Sequence, residues 1–201
     1  MSDTPSSVDD RPDAALPDAE ALARSSWSEE ELTWEQIQET AAEALLAGDW
    51  RQASSLWAFA LDLARVSFEA SDPRLATSLA NKAVAVRRDG KEAAAGDLFD
   101  EALAVWACSG PWVLALAPER RARSSTFHLR LESRHPGGYD RHARARYTAL
   151  AEEGRAAAQA LKDGGQSSRG ALARWRKERP AGYVDARKLL AAVLLLADRA
   201  D

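Results

Sequence analysis

Residues 72–106 read DPRLATSLANKAVAVRRDGKEAAAGDLFDEALAVW. Asp72-Pro73 opens a helix, because an Asp side chain caps free backbone N–H groups and Pro is tolerated in the first turn. Apolar residues then recur at spacings of three and four, as one face of a helix requires. Gly90 falls just past the end of that run, where a left-handed residue commonly closes a helix. A second helical run follows, from Lys91 to about Trp106. Two helices joined by so short a turn lie back to back.

The same pattern occurs earlier in the chain. A shift of 42 residues lays Gly48 on Gly90, Ala53 on Ala95, Trp57 on Phe99, Ala60 on Ala102 and Leu61 on Leu103. In the preceding helices Ile37 falls on Leu79, Ala41 on Ala83 and Ala44 on Val86. A further shift of 48 brings Gly138, Ala143, Tyr147, Leu150 and Ala151 onto the pattern more loosely. Small residues let two helices approach, and the aromatic fills the space against the next pair. One pair cannot bury its apolar face alone, so pairs of this kind stack.

These residues resemble the tetratricopeptide repeat family, in the longer variety found in kinesin light chains. The resemblance is carried by Asp72-Pro73 through Ala83, Gly90 through Ala95 and Leu98 through Trp106. Trp34–Phe68, with Gly48-Asp-Trp-Arg-Gln-Ala53, matches nearly as well, and 112–162 reads as a degenerate third repeat. The resemblance implies an all-α fold of antiparallel helix-pair repeats in a right-handed solenoid. It also implies a concave groove for a partner segment, with Asn81 at the place where family members hydrogen-bond a ligand's backbone. The first repeat has Glu39 there instead. Such a fold hosts many tasks, so it says little about which one.

Across the remaining chain strand signals are almost absent. Helices are expected at about 34–47, 50–69, 73–88, 91–107, 112–134, 139–162, 171–178 and 183–198. Residues 163–170 (DGGQSSRG) read as a loop on composition. The expected organisation is a disordered acidic arm over 1–31, helical repeats over 32–162, and a loop with C-terminal capping helices over 163–201. The 183–197 run is apolar nearly all round and too short to span a bilayer. It is read as a cover for the last repeat, with Trp175 on its hairpin partner; a homodimer through it is a second expectation. The N-terminal stretch has no apolar core of a secretory signal, and a single Cys108 excludes an intrachain disulfide framework, so the cytoplasm is expected.

Charge is uneven. Residues 1–72 carry 16 acidic and 4 basic side chains, whereas 119–150 carry 8 Arg and 3 acids. Arg120, Arg123, Arg130, Arg134, Arg141 and Arg144 cluster there among Phe127, Tyr139 and Tyr147. Guanidinium forks suit carboxylates and phosphates. The acidic front half opposes phosphates, so an acidic protein segment is the expected partner and nucleic acid the alternative. The acidic arm over 1–31 is a candidate to lie on the basic half and gate access. His128, His135 and His142 recur every seven residues, but Pro136-Gly137-Gly138 breaks any shared helix face, which argues against a metal site. No phosphate-binding loop, dinucleotide fingerprint or metalloprotease motif occurs, and Cys108 stands in no nucleophile motif. The expectation is therefore a non-enzymatic interaction module, without cofactor or metal, working as an adaptor, assembly factor or regulator. Its anchors would be Asn81, Arg87, Arg88 and the Arg cluster.

Overall fold

The computed structural model describes residues 26–118, 137–166 and 170–197. Among these residues the protein is all helical: α1 (Glu29–Leu46), α2 (Trp50–Ser67), α3 (Pro73–Arg88), α4 (Glu92–Cys108), α5 (Gly110–Ala115), α6 (Gly138–Lys162), α7 (Ala171–Glu178) and α8 (Asp185–Leu194). No helix in the described part is long and apolar enough to cross a membrane.

The boundaries follow from local chemistry. Ser28 and Glu31 form a reciprocal capping box, with Glu31 N–H donating to Ser28 Oγ and Ser28 N–H donating to Glu31 Oε2. Glu29, Glu30 and Glu31 complement the positive end of α1. The helix thus begins at Glu29, inside the expected 1–31 arm, whose residues 1–25 lie outside the described chain. Asp49 caps α2 through Gln52 N–H at 3.0 Å, and Asp72 caps α3 through Arg74 N–H at 2.9 Å with Pro73 in the first turn. Gly48 and Gly90 turn the chain between α1 and α2 and between α3 and α4 with φ of +78° and +77°. An L-residue pays roughly 1–2 kcal/mol for that conformation. The expected 112–134 helix is represented by α5, which stops at Ala115; 119–136 lie outside the described residues.

Packing proceeds in chain order, α1 on α2, α2 on α3, α3 on α4, and then α6 on α4 and α3. The register read from the sequence is the register of burial. Ala53, Trp57 and Ala60 on α2 and Ala95, Phe99 and Ala102 on α4 are all within the core. Tyr147 of α6, third in that alignment, is buried too. At Gly154 α6 comes so close to its neighbours that an added Cβ would stand 2.5 Å from Cη2 of Trp106 and 3.0 Å from Cγ2 of Val193. That one position therefore locks α6, α4 and α8 together.

The C-terminal helix α8 packs on α6 and also runs along α3. Leu189 to Ala197 are all buried. The two helices run the same way, since Thr77 meets Ala192 and Asn81 meets Leu195 and Ala197 further along both.

Candidate functional site

The informative surface is the face of α3, with α1 on one side and α6 on the other. Thr77, Ser78 and Asn81 lie on it at spacings of three and four, so a helix presents them as one polar stripe. All three are fully buried. Ser78 Oγ accepts from Trp34 Nε1 at 2.8 Å and from Gln38 Nε2 at 3.3 Å, which ties α1 to α3. Gln38 Oε1 in turn accepts from Asn81 Nδ2 at 2.9 Å.

The stripe also holds main chain. A helix end leaves its last carbonyls without intrahelical donors, and burying them unpaired is costly. At the end of α8 Thr77 Oγ1 donates to the Ala192 carbonyl at 2.5 Å, and Asn81 Nδ2 donates to the Leu195 carbonyl at 2.9 Å. Asn81 Oδ1 accepts from Ala197 N–H at 2.7 Å. The backbone that Asn81 holds belongs to this chain's own C-terminal segment.

The other end of α8 is held by charge. Arg187 donates to both oxygens of Glu35, and Lys188 Nζ lies 2.8 Å from Glu31 Oε1. Arg187 also donates to the Pro180 carbonyl at 3.1 Å and sits near the faces of Trp27, Trp175 and Tyr183. A third α1 carboxylate, Glu39, accepts from Arg179 at 2.8 Å. Glu31, Glu35 and Glu39 follow one another at intervals of four, forming an acidic row along α1.

Glu31 also joins Arg74, whose guanidinium is paired with Asp72 and lies 4.0 Å over the Phe68 ring. Burial works to lower the pKa of Arg74, but its bonds to Asp72 and the charges of Asp72 and Glu31 raise it above the usual value. Burial works to raise the pKa of Glu31; the charge of Arg74 and bonds from Lys188 and Ser28 outweigh it and hold the carboxyl below the ordinary 4.5. A cleft of about 610 Å³ opens beside this network, between Phe68, Trp112, Asp185 and Lys188.

The expected anchors separate into different roles. Arg87 donates to the carbonyls of Leu161 and Lys162 at 2.6 and 2.7 Å and covers the Phe99 ring, so it caps the C-terminus of α6 from α3. Arg88 is exposed and lies 4.2 Å over the Trp50 ring. Arg144 donates to the Leu114 carbonyl, and Arg141 is exposed near the start of α6. Those two lie about 25–30 Å along α6 from the end that Arg87 caps, at 1.5 Å per residue, so Arg87 and the α6 Arg residues are not brought together. Arg120, Arg123, Arg130 and Arg134 lie outside the described residues, as do His128 and His135. Cys108 is exposed at the end of α4.

Sequence reasoning missed Thr77, Gln38, the α1 carboxylates and the Arg187-Lys188 pair. The signals were present: Thr77 stands four residues before Asn81, and Ser28-Glu-Glu-Glu31 spells a capping box that extends α1 to include the first carboxylate. Comparison with family models, with curated proteins and with solved structures finds no match.

Proposed function

We propose that the chain is a non-catalytic protein-interaction module of stacked, tetratricopeptide-like helix pairs that takes a segment of another protein on the face of α3 between α1 and α6. The observation that carries this reading is the pair Thr77 and Asn81. Both side chains hydrogen-bond the main chain of the C-terminal segment, while Asn81 also holds Gln38 and Thr77 also reaches the Pro73 carbonyl of its own helix. Backbone recognition of that kind tolerates many ligand sequences while fixing their position. The matching burial of Trp57 with Phe99, and the matching left-handed Gly48 and Gly90, support the repeat relation between the α1–α2 and α3–α4 pairs.

The test is photo-crosslinking of the full chain in its native cell. A crosslinker replaces Glu43, half exposed where Arg176 of α7 leans on α1, and separately replaces the exposed Phe59 and Asp97 on α2 and α4. A discrete protein adduct at Glu43 and none at Phe59 or Asp97 is the expected result. Absence of an adduct at all three positions would remove the interaction-module reading.

A further inference from the structure

Resting on the reading just given, we infer that residues 185–197 are a built-in competitor for this face, and that the partner displacing them is a helix with two adjacent basic residues in its first turn followed by leucine-rich turns.

The charge of the face decides the class of partner. The Arg cluster suggested an acidic one, but what α1 presents to residues 185–197 is the carboxylate pair Glu31 and Glu35, met by Lys188 and Arg187. Glu31 is shared with Arg74 of α3, and Glu39, next in the row, faces Arg176 and Arg179 just before the segment. Glu31 and Glu35 are largely buried against that segment. An acidic helix placed there would set like charges together in a poorly solvated site, which disfavours it. A basic first turn is therefore selected, and an acidic one refused.

The rest of the recognition is indifferent to origin. The carbonyls to which Thr77 and Asn81 donate are those that any helix C-terminus exposes. Ala191 and Ala192 of α8 are small enough for close approach to α3, and Leu189, Leu190, Val193 and Leu194 fill the sides. A separate chain with the same spacing makes the same contacts. The resident segment has the advantage of being tethered, which gives it a high effective concentration. Its weak point is the N-terminal end, where the Lys188–Glu31 pair borders the 610 Å³ cleft and a competing cation has access. No disulfide fixes the segment, because the chain has one cysteine.

The experiment uses the full chain and a fluorescein-labelled synthetic peptide of residues 179–197, read by fluorescence anisotropy. Arg187→Ala with Lys188→Ala in the chain weakens the resident segment and leaves the face intact, so the peptide should bind about tenfold or more tighter than to the unaltered chain. Glu35→Gln weakens resident and added segments alike and should change the apparent affinity much less. A peptide with Glu at both basic positions should not bind. Failure of the basic peptide to bind the doubly altered chain, with native helical circular dichroism, overturns the inference. Native-state hydrogen exchange of the unaltered chain needs no substitution. Amides of Leu189–Leu195 should open more readily than those of α3, and equal opening of both helices would overturn the inference. Light scattering should show a monomer; a dimer formed by reciprocal exchange would assign the face to a second copy and overturn the partner-helix proposal. Adducts at Glu43 without peptide binding would refute this inference alone and leave the interaction module standing.

Discussion

Gly154→Ala sets two effects of opposite sign against each other. In the middle of a helix the change alone should stabilise by about 1 kcal/mol, because Ala loses less backbone freedom. The structure reverses that expectation. The new methyl would stand 2.5 and 2.7 Å from two ring carbons of Trp106 and 3.0 Å from Cγ2 of Val193. Ordinary carbon contacts are about 3.5–4.0 Å, so roughly 1 Å of movement is required. Trp106 and Val193 are both buried, on different helices, so α4 and α8 must both yield. Overpacking of this kind costs about 1–3 kcal/mol, and an overlap with a rigid ring belongs at the upper end. The net expectation is a loss of about 1–2 kcal/mol, read as a fall in Tm of about 2–8 °C for a chain of this size. Circular dichroism at the helix band during heating and in urea is the assay. A second arm adds Trp106→Phe, which withdraws the atoms in the way, so the double variant should be less damaged than the sum of the singles by more than about 0.5 kcal/mol. An unchanged or raised Tm for Gly154→Ala would refute the close three-helix approach.

Three further outcomes follow from the same packing. Asn81→Leu deprives the buried Gln38 Oε1 and the Leu195 carbonyl of their donor; it should cost about 3 kcal/mol in urea unfolding and speed hydrogen exchange most at residues 195–197. Arg87→Met removes two charge-assisted bonds to the end of α6 and should cost about 2 kcal/mol. Arg87→Lys should recover only part of that, because one ammonium lacks the guanidinium's rigid fork. Since the Glu31 carboxyl is held below 4.5 in the folded chain, the unfolded chain takes up that proton first as pH falls. Its stabilisation is complete above that value and is lost as pH drops through the folded one. Urea midpoints measured from about pH 6 to pH 3 should fall, and Glu31→Gln should reduce that slope while lowering stability at neutral pH.

The helices were legible because their signals are local. Asp72-Pro73, Gly48, Gly90 and the spacing of Ala and Leu act within one or two turns, and the expected 50–69, 73–88 and 171–178 segments agree with α2, α3 and α7 to within two residues. The place of α8 was not legible in the same way. Its all-round apolarity said that it must be covered on every side, which favoured the end of the row and left another chain as the second choice, with nothing to single out α3. What fixes it against α3 is a set of contacts 114 to 116 residues apart in sequence, Asn81 to Leu195 and Ala197. No periodicity records a pairing at that distance. The polarity of the face was hidden for a related reason. The conspicuous Arg cluster drew the expectation towards an acidic ligand, while Glu31, which pairs with Lys188 of α8, was assigned to the acidic arm and Glu35 drew no notice. Arg87 shows the same ambiguity at one residue, since a basic residue near the end of α3 reads equally as an anchor for a ligand and as a cap for a distant helix.

The separation between Asn81 and Ala197 also matters before folding is complete. A ribosome adding about 5–20 residues per second takes about 6–23 s to supply the 116 residues between them. Throughout that interval α1 and α3 can pair while Thr77 and Asn81 have no C-terminal segment to hold. The nascent protein thus passes through a stage at which Thr77 and Asn81 are already in place on α3 and the main chain that takes up their hydrogen bonds has yet to be synthesised.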